Sequence, residues 1–348
     1  MSTAILEIRR AGPLVTIQDE GRPGLMRYGV PASGPMDRFA HAAANVALGQ
    51  SSTATAIEIS LGGLSLTCAS APVSISVCGG GFTVSHRGER CTSWTVRTLE
   101  PGDTLDISAG AWGSWCYLAV AGDLRARRWL ASTSTHVRSG LGGGLVRAGD
   151  QLVIESAQVH ADHEGLVEPP AIARPVHVLR VVSGPQRECF GPNATNTLLT
   201  STYALTPAFD RMGVRLAGPP LPIDDALAIP STPIVRGSLQ VTGDGVATLL
   251  LADHQTTGGY PKIATVISAD VNRATQLRAG DTIRFAEIDP AAAVRAARAA
   301  ATNQAHHLAA VADRPGLRTR QLLGANLIGG AFHPSCPSSS VRSENIHP

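Results

Sequence analysis

The chain has 348 residues, 43% hydrophobic and 16% charged, with a formal net charge of +2 at pH 7. That length exceeds the usual size of a single core, so two domains are expected. Near-balanced charge and 4% aromatic residues argue against a nucleic-acid footprint or a base-stacking platform, and leave a small molecule or a protein as the partner. The 36 glycines and 23 prolines favour short elements joined by tight turns, hence a mainly β protein with a few helices. Charge at the N-terminus where a signal peptide would be apolar, and no run of eighteen apolar residues, imply a cytoplasmic chain with no membrane segment. The six cysteines have neither C-x-x-C nor metal-like spacing, so buried thiols and no metal site are expected.

From the N-terminus, the first polar segment is TIQDEGRPGLMRYGVPASGPMDRFA (16–40), which brings Gln18, Asp19, Arg22, Ser33 and Asp37 ahead of a helix predicted over 33–50. Ser33 is a possible cap for that helix, Pro35 falls in its first turn and Gly49 ends it. Backbone N–H groups at a helix start, with arginines nearby, can hold a carboxylate or phosphate; a surface loop in which Asp19 and Arg22 pair is the plainer alternative. Short β-prone runs follow at 56–68, 71–80, 114–122 and 246–253, the pattern of a barrel or sandwich. LEPGDTLDIS (99–108), LVRAGDQLVIES (145–156) and QLRAGDTIRFAE (276–287) share one design, a Gly-Asp turn opening an alternating strand.

The proline-rich stretch 161–175 reads as a linker, giving domains over 1–168 and 169–288. TPAFDRMGVRLAGPPL (206–221) presents Arg211 and Met212, with the arginine offering a planar fork to a carboxylate or phosphate; an Asp–Arg pair closing a turn is the alternative. LLLADHQTTGGYPKIATVISAD (249–270) runs an apolar strand into Asp253, His254, Gln255, Thr256, Thr257, Gly258, Gly259, Tyr260 and Lys262. Its density of functional groups points to a site, against a plain Gly-Gly hairpin. An alanine-rich helix is expected over 289–313 and a flexible tail over 314–348.

Together, QDEGRPG, YGVPASGPMD, AAANVALG, AIEISLGG, FDRMGVRLAGPPL, RGSLQV, LLLADHQTTGGYPKIATVISAD and QLRAGDTIRF resemble a family described as the third (C) subunit of 5-oxoprolinase, allophanate hydrolase subunit 2 or biotin-dependent carboxyltransferase-like proteins. The resemblance runs in order over residues 5–288. It implies two cyclophilin-like β-barrel domains facing across a cleft. It also implies a component of an ATP-dependent 5-oxoprolinase, acting on a small amide or lactam together with other 5-oxoprolinase subunits. ATP would be used by the complex, at a site that is either unconventional or on a partner, since the chain has no G-x-x-x-x-G-K-[ST] loop. A biotin-dependent carboxyltransferase of urea metabolism, or a non-enzymatic partner of a cyclophilin-fold kinase inhibitor, are the alternatives. The implied reaction needs cations for phosphate, for which Arg22, Arg211 and Lys262 are the candidates, and an acid or base for the ring nitrogen and water, for which Asp37, Asp253 and His254 are the candidates. On that assignment, Asp253→Asn and Arg211→Ala would abolish turnover and leave the melting temperature nearly unchanged. The chain departs from the family pattern at Phe209, Thr242 and His254, the last replacing an arginine.

Overall fold

The computed structural model describes residues 2–224 and 229–313; the expected tail over 314–348 lies outside the described residues. The protein is mainly β, as its glycine and proline content requires. In the first half, a seven-stranded sheet runs in the order Asp123–Leu124, Gln151–Glu155, Ala4–Ala11, Leu64–Cys68, Thr104–Ser108, Thr83–His86, Glu89–Thr92. A six-stranded sheet lies against it in the order Gly165–Leu166, Thr95–Leu99, Val73–Cys78, Trp115–Val120, Ala56–Ser60, Thr16–Gln18. Leu6, Leu66, Ile75, Val77, Ile107 and Leu118 fill the space between them. The second half closes a barrel through Val178–Ser183, Lys262–Val266, Ser238–Val241, Ala247–Leu250, Gly213–Ala217, Tyr203–Phe209 and Thr282–Glu287. Among these strands Val178–Ser183 and Thr282–Glu287 pair in parallel.

Burial follows strand position. Val73–Cys78 and Trp115–Val120 are buried at every residue, because one face meets the first sheet and the other meets helix α1 (Arg38–Val46). Gly213–Ala217 and Gln151–Glu155 alternate buried and exposed residues, the period of a strand with one wet face. The three Gly-Asp segments fold alike. Gly102, Gly149 and Gly280 each take φ near 91–92°, a backbone region closed to most side chains. The aspartates that follow accept the backbone N–H of Glu100, Arg147 and Arg278 at 2.8, 2.7 and 2.8 Å, locking each turn before its strand begins.

The remaining helices are α2 (Pro192–Thr200), α3 (Ser268–Thr275) and α4 (Pro290–Ala312). The cap of α1 is Asp37 and not Ser33, because its carboxylate accepts Phe39 N and Ala40 N at 3.1 Å, while Ser33 sits four residues upstream in a left-handed conformation. Helix α4 starts where the alanine-rich pattern predicts, capped by Asp289 with proline at N1. It lies against α1 and α3, with Val311 buried and His307 5.6 Å from the Phe39 ring. None of the described helices is long and apolar enough to cross a membrane.

His41 of α1 is buried, edge-on to Tyr117 at 5.6 Å, and burial lowers its pKa from 6.5 to about 4. The folded state therefore keeps it neutral where the unfolded chain protonates, so stability falls as pH drops through that window. His41→Gln should flatten this loss, worth about 3 kcal/mol, in urea midpoints compared at ~pH 7 and ~pH 4.5. An equal pH dependence in both proteins would contradict it.

Candidate functional site

Arg211 occupies the turn after Tyr203–Phe209, where the Asp210 carboxylate accepts Met212 N and Gly213 N at 2.8 and 3.1 Å. The turn drives the guanidinium inward to 2% exposure. There it donates bidentately to Asp253, both contacts at 2.9 Å, and also to Glu58 and to Gly34 O at 2.7 Å. Asp253 N in turn donates to Arg211 O at 2.8 Å, fixing the two segments to each other. Glu58 belongs to Ala56–Ser60 and accepts Met36 N at 2.7 Å and the Tyr117 hydroxyl at 2.8 Å. The Tyr117 oxygen accepts Asp37 N, and the Asp37 carboxylate accepts Gln276 Nε2 at 2.8 Å. Gln276 closes the series by accepting Ser114 N and Trp115 N.

A continuous buried network therefore joins the sheets of the first half to the barrel. Burial alone would lower the Arg211 pKa, but Asp253 and Glu58 outweigh it and hold the guanidinium far above its ordinary value. Burial raises Asp37, partly offset by Gln276, and raises Tyr117, reinforced by Glu58. The cation assigned to phosphate is thus already neutralised by two carboxylates, and Asp37 is a helix cap and bridge.

The loop after Thr16–Gln18 docks on residues 129–144. Asp19 accepts Ser132 Oγ, Ser134 Oγ, Thr133 N and Gly21 N at 2.6–2.9 Å; burial raises its pKa, but these hydrogen bonds more than offset it. Arg22 does not pair with Asp19. It donates to Trp129 O and Ser134 O at 3.1 and 2.6 Å and lies 5.0 Å over the Trp129 ring. Its Nη1, together with Ser33 Oγ and Gln18 Oε1, is buried with no hydrogen-bond partner.

Residues 253–262 divide into a buried and an exposed part. Asp253, His254 and Lys262 are buried; Thr257, Gly259 and Tyr260 are exposed. Thr257–Gly258 forms a small ribbon with Thr232–Pro233, so part of the segment is the hairpin the glycines suggest. His254 Nδ1 lies 2.7 Å from Gln255 O, which can only accept, so the proton is on Nδ1 and Nε2 carries the lone pair. Burial lowers its pKa, aided by Arg236 and Arg38, so the ring is neutral at pH 7. Lys262 Nζ donates to Thr232 Oγ1 at 2.6 Å, forms no ion pair among the described residues, and has its pKa lowered by burial.

A cavity of about 810 Å³ opens on the barrel, lined by Phe209, Met212, Arg215, Gln240, Thr242, Gln255 and Tyr260 among others. Gln255 Nε2 donates to Gln240 Oε1 at 3.2 Å, and Gln240 Nε2 to Tyr260 O at 3.4 Å. Arg138, from the first half, reaches Met212 Sδ at 3.4 Å. Met212, Gln255 and Tyr260 are thus brought together with Phe209 and Thr242, two of the positions where the chain departs from the family pattern. Gln18, Asp19, Arg22 and Ser33 form a second cluster and Arg211, Asp253 and Asp37 a third; the two adjoin, since Asp253 acts on the Arg22 charge and Arg211 bonds Gly34 O beside Ser33. Among the described residues no group of three or more His, Cys, Asp or Glu side chains is placed to hold a metal.

Sequence reasoning missed Glu58, Tyr117, Gln240 and Gln276. Glu58 had a legible signal, a carboxylate inside the apolar run AIEIS; Gln276 had none, because its partners lie more than 160 positions away.

Comparison with known proteins agrees with this architecture. The chain is 33% identical over 273 residues to the 5-oxoprolinase C subunit of Haemophilus influenzae, covering 78% of this chain and 87% of that protein. It is 30% identical over 304 residues to the Escherichia coli 5-oxoprolinase C subunit, covering 84% and 94%. The urea amidolyase of K. lactis shares the fold, with a TM-score of 0.79 at 23% identity over 88% of this chain. Solved relatives are longer, and the chain spans 55% of one and 20% of the amidolyase. Residues 28–287 match the model of the carboxyltransferase domain, subdomain A and B, and the chain belongs to that family.

Proposed function

We propose that this chain is one component of an ATP-dependent 5-oxoprolinase-type amidohydrolase, turning 5-oxo-L-proline, ATP and water into L-glutamate, ADP and phosphate with partner subunits. The observation that carries the reading is the similarity to the 5-oxoprolinase C subunit along 87% of that protein's length. The glutamine-lined cavity supports it. With Gln240 and Gln255 bonded to each other, Gln255 keeps its carbonyl oxygen and a second N–H for a ligand, the complement of a lactam N–H and C=O.

Opening a lactam requires activation of a resonance-deactivated carbonyl, which ATP supplies by phosphorylating the carbonyl oxygen. It also requires a base for water and an acid for the ring nitrogen. His254 Nε2 carries the lone pair a base needs, and Lys262, whose pKa burial lowers, is the candidate acid for the ring nitrogen. A triphosphate is a poor fit here, since Arg211 is neutralised by Asp253 and Glu58. We therefore place the nucleotide on a partner subunit.

The test is glutamate release from 5-oxoproline by the co-expressed complex, with each component omitted in turn. Turnover should vanish without this chain; turnover that persists sinks the reading. The family model also favours a second reading, biotin-dependent carboxyl transfer. Avidin-sensitive carboxylation of urea without glutamate release would select it, and a stable complex with no turnover would select regulation. Within the first reading, Gln255→Leu should raise KM for the lactam about tenfold, with kcat little changed, because the lost hydrogen bond is made in ground and transition states alike. An unchanged KM in steady-state kinetics would remove the cavity from the substrate site.

A further inference from the structure

A second cavity, of about 390 Å³, lies between α1, α3 and α4, lined by Arg38, Arg236, Ser268, Asn272, Gln304 and alanines of α4. Among the described residues no carboxylate lines it. Arg236 donates to Pro35 O at 3.3 Å, to Met36 O and to Asn272 Oδ1 at 3.3 Å, all neutral acceptors, and its Nε is buried with no partner. Among the described residues neither Arg38 nor Arg236 has a carboxylate within 4.0 Å, whereas Arg211 and Arg180 are each paired. The acids nearby are already taken, Asp270 by Arg180 and Asp37 by Gln276 and the amides it caps.

We infer that this cavity binds a small molecule through an oxyanion, a carboxylate or a phosphate group, held between the guanidiniums of Arg38 and Arg236. Two like charges facing one polar cavity repel, and a bound anion removes that repulsion while supplying acceptors for planar N–H forks. Burial lowers the pKa of both guanidiniums, and at Arg236 the neighbouring Arg38 adds to the lowering while Tyr117 and Asp37 oppose it without cancelling it. The volume is at the small end of ligand sites, suited to a compact acid. The roof belongs to α4, which begins beyond residue 287, where the family match ends. The inference does not rest on the proposed reaction.

Isothermal titration of the full chain with inorganic phosphate and, separately, with acetate is the test. Saturable binding of at least one probe at millimolar concentration is expected, at one per chain. Arg38→Ala, with no ion pair to lose among the described residues, and Ala300→Phe, which fills the cavity from α4 without touching charge, should each weaken it at least tenfold. Gln304→Glu, which places a carboxylate opposite the arginines, should abolish binding and raise the melting temperature, and it replaces Ala300→Phe if α4 does not tolerate a ring. Phosphate preferred over acetate identifies a phosphate ester as the natural ligand class, and the reverse a carboxylic acid. No saturable binding of either probe, or binding unchanged in the variants, overturns the inference.

Discussion

Replacing Arg211 by alanine is expected to cost about 3–5 kcal/mol of folding stability, read as a lowered urea midpoint, before any effect on catalysis can be measured. The guanidinium is 2% exposed and is the counter-charge for both Asp253 and Glu58. Its removal leaves two buried carboxylates beside each other, and also strips a donor from Gly34 O. Asp253→Asn keeps the shape and removes one charge, so it should cost less. The motif alone suggested that either change would abolish turnover at a nearly constant melting temperature. The network reverses that expectation, because these groups are bonded to each other at full burial and bridge the two halves of the chain. A melting temperature for Arg211→Ala within a degree or two of wild type would show that the network adds little.

Lys262→Met should do the opposite. Nζ is buried against a single hydroxyl, so a similar-sized apolar side chain removes a desolvated cation and leaves stability unchanged or raised. If Lys262 moves the proton of the ring nitrogen, turnover by the assembled complex should fall about 10²–10⁴-fold, with KM little altered. Lys262→Arg should not rescue, because a guanidinium does not release a proton near neutrality. Retained turnover would assign the ammonium to structure, as a donor that holds Thr232 near the ribbon. The contrast between the two variants separates residues that hold the halves together from residues available for chemistry, although both stand in motifs of the same apparent kind.

The motifs were legible to different depths for physical reasons. The Gly-Asp turns could be read from neighbouring residues, because the glycine conformation and the aspartate hydrogen bond act over three positions. The DHQTTGGYPK segment could be read as polar and special, but its split into a buried face and an exposed hairpin could not, since pairing with Thr232–Pro233 decides it. Asp19 and Arg22, spaced to pair with each other, are satisfied instead by residues 129–144, more than a hundred positions away. A local charge pattern cannot show which partner wins when both are buried, because each group must be satisfied by whatever the fold brings to it.

Glycine and proline content, strand-length apolar runs and the capped alanine-rich helix determined on their own that this protein is mainly β with a terminal helix, because backbone propensity and periodicity act locally. The ordered series of motifs likewise determined the family. Only the tertiary structure decided that Arg211 and Asp253, 42 positions apart, are spent on each other and on Glu58, and that Arg38 and Arg236 face one cavity without a carboxylate. Charge compensation in a dry interior is a property of neighbours in space, and those neighbours come from strands and helices that the chain visits far apart.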